Sequence, residues 1–468
     1  MRRVLSLSAV ILLLWVGLAL AATNVYYSVC PFGTGDIKTG SPTITISGGV
    51  AALSVAQTGN IGQGCRITYG SSHCYISRVN SPTSFNVVTA MGEVPADVTG
   101  VVVGSIRHEF ASYAEALAGS ADASHLGSFD IDALGVILRL PLYFDHDDYT
   151  PGSLIYVTDH ITSPAHYIDF YAPTAGHESL YNQRHEGEWD DTRARIVASD
   201  YWAAIRTYKR NDIRVRGLQI KNNFPYQSGA LSRGIYIMDY DEIDLPNEVW
   251  VTDNIVITTD EDWEDQLRDG IRLMNGLNPT YHVQNNIVYG LGVGITVGSR
   301  YLSPNVCTMN VYNNTVYNCG YGIDLHGGWQ GDKSVFNIKN NIIQASINSD
   351  YRMQGEGGAI IGTEANITSD GTSPDAEFRN ISIAFVDADN GDFRLDTGDT
   401  AAIAAGIGPA LDPLVPLFDI AGTPRSGSTC SIGAFEYVVS GGNGSKWNGI
   451  TPAKWNGVDW SNLKWNGM

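Results

Sequence analysis
The chain is predicted to be an all-β solenoid, because two short motifs recur along it and each opens an apolar alternation of period two. The first motif is Val215-Arg216-Gly217-Leu218. It returns as Val251-Thr252-Asp253-Asn254, Val283-Gln284-Asn285-Asn286, Val311-Tyr312-Asn313-Asn314 and Ile338-Lys339-Asn340-Asn341, at spacings of 36, 32, 28 and 27 residues. The second follows it as Gly234-Ile235-Tyr236-Ile237, Gly270-Ile271-Arg272-Leu273, Gly294-Ile295-Thr296-Val297, Gly322-Ile323-Asp324-Leu325 and Gly358-Ala359-Ile360-Ile361, at offsets of 19, 19, 11, 11 and 20 residues. Two strands per unit are therefore expected, stacked at the strand spacing of ~4.8 Å.

In chain order, Met1-Arg2-Arg3 followed by the apolar run Val4 to Leu20 and the small residues around Ala21-Ala22 read as a signal peptide over 1–22. Residues 23–105 alternate strand-like runs with Gly, Ser and Pro turns and form a β-rich region. His108 to Leu117 places Phe110, Tyr113, Ala114 and Leu117 on one helical face, which suits a cap over an open stack of strands. In the coils that follow, Ile235, Ile271, Ile295 and Ile323 should form one inward column and Ile237, Leu273, Val297 and Leu325 another. Asn254, Asn286, Asn314 and Asn341 stand where each strand must bend, and stacked amides there can bond from coil to coil. Beyond Tyr437 a Gly-rich linker leads to three Lys-Trp-Asn-Gly units, giving a tail over 438–468.

These repeats resemble the right-handed, single-stranded parallel β-helix of the pectate-lyase-like superfamily, over residues 106–437. Three C-terminal segments, Gly391-Asp392-Phe393-Arg394-Leu395, Asp419 to Arg425 and Ile432-Gly433-Ala434-Phe435-Glu436, look like the closing coil of secreted bacterial β-helix proteins, with Arg425 and Glu436 paired across the cap. The resemblance implies a secreted or cell-surface protein with a polysaccharide partner. The family's lyases use a carboxylate trio that holds calcium beside a basic proton acceptor, and its hydrolases use several aspartates within one or two coils. Here Asp324 is the only carboxylate of its expected column.

The net charge is −20, and −22 once Arg2 and Arg3 leave with the leader, which disfavours nucleic acid and anionic lipid as partners. After the leader no further apolar stretch is long enough to span a bilayer. An exported chain can oxidise its cysteines, so bridges are expected between Cys65 and Cys74 and between Cys307 and Cys319. A zinc site with His73 is the rival reading of the first pair, but metal-binding spacing is absent.

If the isoleucines point inward, Tyr236, Arg272, Thr296 and Asp324 form one outward column, and Met238, Met274, Gly298 and His326 the next. Arg272, Asp324 and His326 are then the candidate catalytic groups, with Tyr236, Thr296, Trp447, Trp455 and Trp465 as sugar contacts. The acidic runs Asp145 to Asp148, Asp239 to Asp244 and Asp260 to Asp265 could take Ca²⁺ through oxygen ligands, and no other cofactor is indicated. Asp387 to Asp392 resembles a calcium loop but has glycine where a ligand should stand, and reads as a turn. Arg184-His185-Glu186 with Trp189-Asp190-Asp191 could wall the site. The expected function is glycan binding of an adhesin-like kind. The alternatives are a polysaccharide lyase or glycoside hydrolase in a groove, or a purely structural surface protein.

Overall fold
A computed structural model describes residues 22–31, 33–144, 155–198, 203–207, 212–223, 232–239, 247–258, 268–275, 278–299, 306–327, 334–355 and 358–438, and the backbone of 454–455 and 458–459. It is an all-β parallel β-helix. Among the described residues its three sheets hold nine, seven and seven strands, and every pairing within them is parallel. Each complete coil thus has three strands rather than two. The additional, second-sheet strands, such as Ile255–Thr258 and Ile287–Tyr289, are only two to four residues long and directly follow the first sheet across one corner. They show no separate alternation by which a sequence scan could divide them from the first.

That corner sets the register. The residue after the first-sheet strand takes a left-handed conformation, at Gly217 (φ 66°), Asp253 (59°), Asn285 (54°), Asn313 (55°), Asn340 (57°) and Ala365 (58°), which turns the chain sharply into the second sheet. An asparagine comes next in all but the first, where Leu218 follows Gly217 and its N–H donates to Asn254 Oδ1 at 3.0 Å. Asn286 donates from its backbone N and from Nδ2 to Asn314 Oδ1, both at 3.0 Å, and Asn314 does the same to Asn341, also at 3.0 Å. Asn366 extends the ladder one coil beyond the sequence expectation. The first-series residues stack as read, Val215 on Val251, Val283, Val311 and Ile338, and the columns beginning at Ile235 and Ile237 are buried through Ile323 and Leu325.

The segment around Gly358 departs from the expectation. Ala359–Glu364 belongs to the first sheet, beside Val335–Lys339, and the third-sheet partner of Tyr321–Gly327 is Ser349–Gln354. An 11-residue offset from Ile338, as in the two preceding coils, reaches Ser349. The glycine of the motif had drawn the assignment further along the chain.

At the N-terminal end, Thr23–Tyr26 is itself a first-sheet strand, paired with Val136–Pro141. Six antiparallel strands between Thr43 and Arg107 close a separate barrel, so residues 23–105 are not one unit. The helix spans Tyr113–Gly119, capped by Ser112 Oγ on the Glu115 N–H, and buries Tyr113, Ala116 and Leu117 against the first coils. It starts later than expected and leaves Ala114 exposed, because His108 to Phe110 is an extended lead-in and Phe110 bridges Val29.

No disulfide joins the cysteines, all six of which are buried. Cys74 lies opposite Ile67, and Cys65 accepts from the backbone of Ile76, so Cys65 and Cys74 are diagonal neighbours in the hairpin. Diagonal Cα atoms stand ~7–8 Å apart, beyond the usual disulfide span. Cys307 and Cys319 sit at two different corners of one coil, before Thr308–Tyr312 and after Thr315–Tyr317. Burial pushes the thiols of Cys65, Cys74 and Cys319 up to about 12.

The C-terminal motifs do not close the stack. They form a strap along the outside of the second sheet. Phe393, Ile420, Ala434 and Phe435 pack on Ile255, Ile257 and Ile287, and Ile432 and Leu395 pack on Ile342 and Ile367. The strap is anchored at the corner asparagines: Arg425 Nη1 donates to Asn285 Oδ1 (2.7 Å), and Asn340 Nδ2 donates to the carbonyl of Ile407 (2.8 Å). The Arg425–Glu436 ion pair is present, at 3.4 Å. Asn314→Leu should therefore lower the unfolding free energy by roughly 1–3 kcal/mol for each Asn286 donor it strands, read as an earlier midpoint in chemical unfolding. Unfolding indistinguishable from wild type would show that the ladder does not hold the corner.

Candidate functional site
The third sheet begins where each chain turn leaves the second. A glycine stands there, at 234, 270, 294 and 322, with its missing side chain facing inward. A Cβ would lie 2.4 Å from Val256, 2.5 Å from Val288, 2.5 Å from Val316 and 2.2 Å from Ile343, respectively. The next residue, Ile235, Ile271, Ile295 or Ile323, is also buried in the core. Two successive inward positions break the period-two alternation. Arg233 and Asp269, just before their glycines, are thereby turned to the outer face, where they meet Tyr236 and Arg272.

The outward column reads Tyr156, Arg206, Tyr236, Arg272, Thr296, Asp324 and Arg352 through successive coils. It carries two charge networks. In the first, Asp269 Oδ2 accepts from Arg233 Nε and Arg272 Nη1, both at 2.8 Å, and Thr296 Oγ1 donates to Asp269 Oδ1 at 3.4 Å. In the second, Asp324 accepts from Arg352 Nε (3.0 Å) and Nη2 (2.5 Å), from Gln354 Nε2 (3.0 Å) and from His326 Nε2 (2.9 Å). Guanidinium groups cover the tyrosine rings, Arg233 over Tyr236 at 4.2 Å and Arg352 over Tyr321 at 3.6 Å.

The expected catalytic trio is only partly assembled. Asp324 and His326 are in contact, whereas Arg272 belongs to the Asp269 network, two coils from Asp324. The partners supplied by the fold are Arg352 and Gln354, which became visible only with the correct third-sheet strand. Nor is the face open to solvent as expected, since the Asp324 side chain is 2% exposed against 15% for Arg272 and 18% for His326. Tyr236 and Thr296 are buried as well, with the Tyr236 hydroxyl on the Met238 sulfur. Burial opposes ionisation of Asp324, but bonds from His326 and Arg352 outweigh it and hold its pKa below the ordinary value. Burial likewise opposes ionisation of Asp269, and the charges of Arg272 and Arg233 outweigh it.

The other expected sites lie elsewhere. His185 is buried, Arg184 pairs with Asp253 at 3.0 Å, and Trp189 packs in the strap's cluster, so this insertion lies by the second sheet and walls nothing on the third. Asp387 to Asp392 is a turn with Gly391 left-handed at φ 84°, and Asp392 pairs with Arg394. Asp145 to Asp148 and Asp260 to Asp265 lie outside the described residues, as do Tyr240 to Asp244, and no cluster of three metal-ligating side chains occurs among the described ones. Trp447 and Trp465 also lie outside them, while Trp455 is described only as backbone, in the strand Lys454–Trp455. No helix among the described residues is long and apolar enough to cross a membrane.

The outer face of the first sheet holds a different stack. Trp250 and His282 lie parallel at 3.6 Å, Arg214 approaches the Trp250 ring at 5.8 Å, and Asn310 and Asn337 continue the column through a 2.9 Å bond. The Trp250 ring is spent on these neighbours rather than presented to a sugar.

No family model matches the sequence, and no curated protein is similar to it. Among solved structures, one titled "Crystal structure of pectate lyase Pel9A" is similar, with 15% identity over 64% of this chain and 88% of that chain and a TM-score of 0.27.

Both carboxylates have folded-state pKa values below the unfolded ones, so the stability they contribute is fully present above the ordinary aspartate value of about 3.9 and is lost as pH falls through the folded values. Thermal melting between pH 2 and 7 should show that acid loss. Asp324→Asn should melt lower at neutral pH and have a shallower acid slope; an unchanged slope would mean that Asp324 does not ionise in these pairs.

Proposed function
We propose that this is an exported glycan-binding protein that takes an anionic, hydroxyl-bearing polysaccharide along the outer face of its third sheet. One observation carries the reading. That face sets four guanidinium groups, Arg206, Arg233, Arg272 and Arg352, against two carboxylates, Asp269 and Asp324, in a chain whose net charge is −20. A local reversal of sign on an acidic molecule is what an anionic ligand requires. Part of the Arg352 and Arg272 side chains stays accessible there, 24% and 15% exposed.

Binding is preferred to hydrolysis because a glycoside hydrolase needs one carboxyl group held protonated. Asp269 and Asp324 are both shifted the other way. A polysaccharide lyase is the second reading. The Asp324–His326 contact favours it, since a carboxylate that orients an imidazole prepares it to take a proton. The Ca²⁺ expectation belongs to residues outside the described ones and adds nothing to either reading.

Affinity electrophoresis of the mature protein should show retention by a polyuronate that weakens as salt rises. Arg272→Gln leaves Asp269 its Arg233 partner and should weaken retention about tenfold, ~1.4 kcal/mol. Equal retention by a neutral glucan, or full retention of the variant, would count against the reading. Release of unsaturated uronide that is lost in His326→Ala would replace binding by lyase action.

A further inference from the structure
Among the described residues the solenoid is covered at one end and only partly covered at the other, where Thr372, Ser373 and Asp375 close the corner at Asn366 but leave the ends of the first and third sheets exposed. The helix Tyr113–Gly119 lies over the first coils. At the far end the inward columns run out into solvent. Met353 stacks on Leu325 and Ile360 on Phe336, yet Met353 is 44% and Ile360 36% exposed where Leu325 is 2% and Phe336 0%. Ile361, beside Ile360 in the same strand, is 66% exposed. Ala359–Glu364 is also the last strand of the first sheet, and no strand among the described residues pairs with its outer edge. An exposed core with an open strand edge is completed by another strand.

The chain carries such a strand close by. Tyr437 packs with Ile342 and Ile367, so the C-terminal tail departs beside the last coils. Fifteen residues, 439–453, separate it from Lys454–Trp455 and include Gly441-Gly442-Asn443-Gly444-Ser445. Fifteen residues of Gly/Ser-containing composition correspond to a reach of ~20 Å, about four coils at ~4.8 Å each. Lys454–Trp455 pairs antiparallel with Val458–Asp459, and the two residues between them are Asn-Gly, the strongest two-residue hairpin signal. The tail bears Lys446, Lys454 and Lys464 against a single Asp459, whereas Glu364, Asp370, Asp375 and Glu377 reach the surface at the last coil and the turn after it, against Arg379. Tether length, strand formation and charge all point to the same occupant.

We propose that the Lys-Trp-Asn-Gly tail caps the open end of its own chain, its hairpin adding to the edge of Ala359–Glu364 and its tryptophans covering Met353, Ile360 and Ile361. The proposal is independent of the glycan reading, which concerns the third-sheet face.

Amide hydrogen exchange of the full-length protein tests it, with Thr308–Tyr312 as the internal folding control. Amides of Ala359–Glu364 should exchange at least tenfold more slowly in wild type than in the variant Trp447→Ser, Trp455→Ser, Trp465→Ser, with the control strand unchanged. Ile361→Asp, at an exposed position, should deprotect both the edge strand and residues 454–459. Rapid exchange of the edge in wild type, or equal protection in wild type and both variants, would overturn the proposal. So would protection that disappears on dilution together with sedimentation as a dimer, since the cap would then be a second copy.

Discussion

The central coils depend on one corner, at which a left-handed residue is followed, from Asp253 onward, by an asparagine. The left-handed residue bends the chain from the first sheet into the second, and the asparagine satisfies the backbone that the bend exposes. Because Asn254, Asn286, Asn314 and Asn341 each donate to the asparagine one coil on, ending at Asn366, each of these coils is locked in register to the next. A slip by one residue would bury an outward side chain and expose an aliphatic one. Insertions of variable length on the other side of each coil are tolerated because the corner, not the loops, defines the stack.

The same corner organises the exterior. Asn285, Asn313 and Asn340, the left-handed residues themselves, point their amides outward and bind the C-terminal strap. The strap covers the aliphatic outer face of the second sheet, which explains why Ile255, Ile257 and Ile287 are buried although that sheet lies at the outside of the coil. The first sheet fills much of its outer face with stacked planar groups. The third is left with the charged column. The proposed site is on that face because the other two are occupied.

Within the site, burial and charge decide the chemistry together. Asp269 and Asp324 are among the most buried side chains of the face, and each is held ionised by at least one guanidinium. Carboxylates committed in this way hold Arg233 and Arg272, from adjacent coils, and Arg352, three coils further on, in place; they are poor proton donors. A cluster of fixed cations suits a bound anion better than the cleavage of a single bond.

Much of the architecture was legible in the sequence. The repeats at Val215 to Ile338, the ladder from Asn254 to Asn341 and the inward columns at Ile235 and Ile237 depend on local periodicity, and a solenoid places residues that are periodic in sequence next to one another in space. Asp324 and His326 were found for that reason, being two residues apart on one strand. Arg352, Gln354, Arg233 and Asp269 were not. The first two were hidden by a coil without the motif glycine at its expected position, and the other two by an alternation that breaks where glycine and isoleucine both turn inward. The strap was read as a closing coil because sequence order implies that the last segment lies at the end of the stack. Only tertiary packing decided that it runs along the side, drawn there by an uncovered row of isoleucines and a column of outward asparagine amides. Sequence by itself determined the repeating unit and its inward face. The tertiary structure determined which outward residues meet, because that depends on corners, insertions and a strap whose contacts lie many residues apart along the chain.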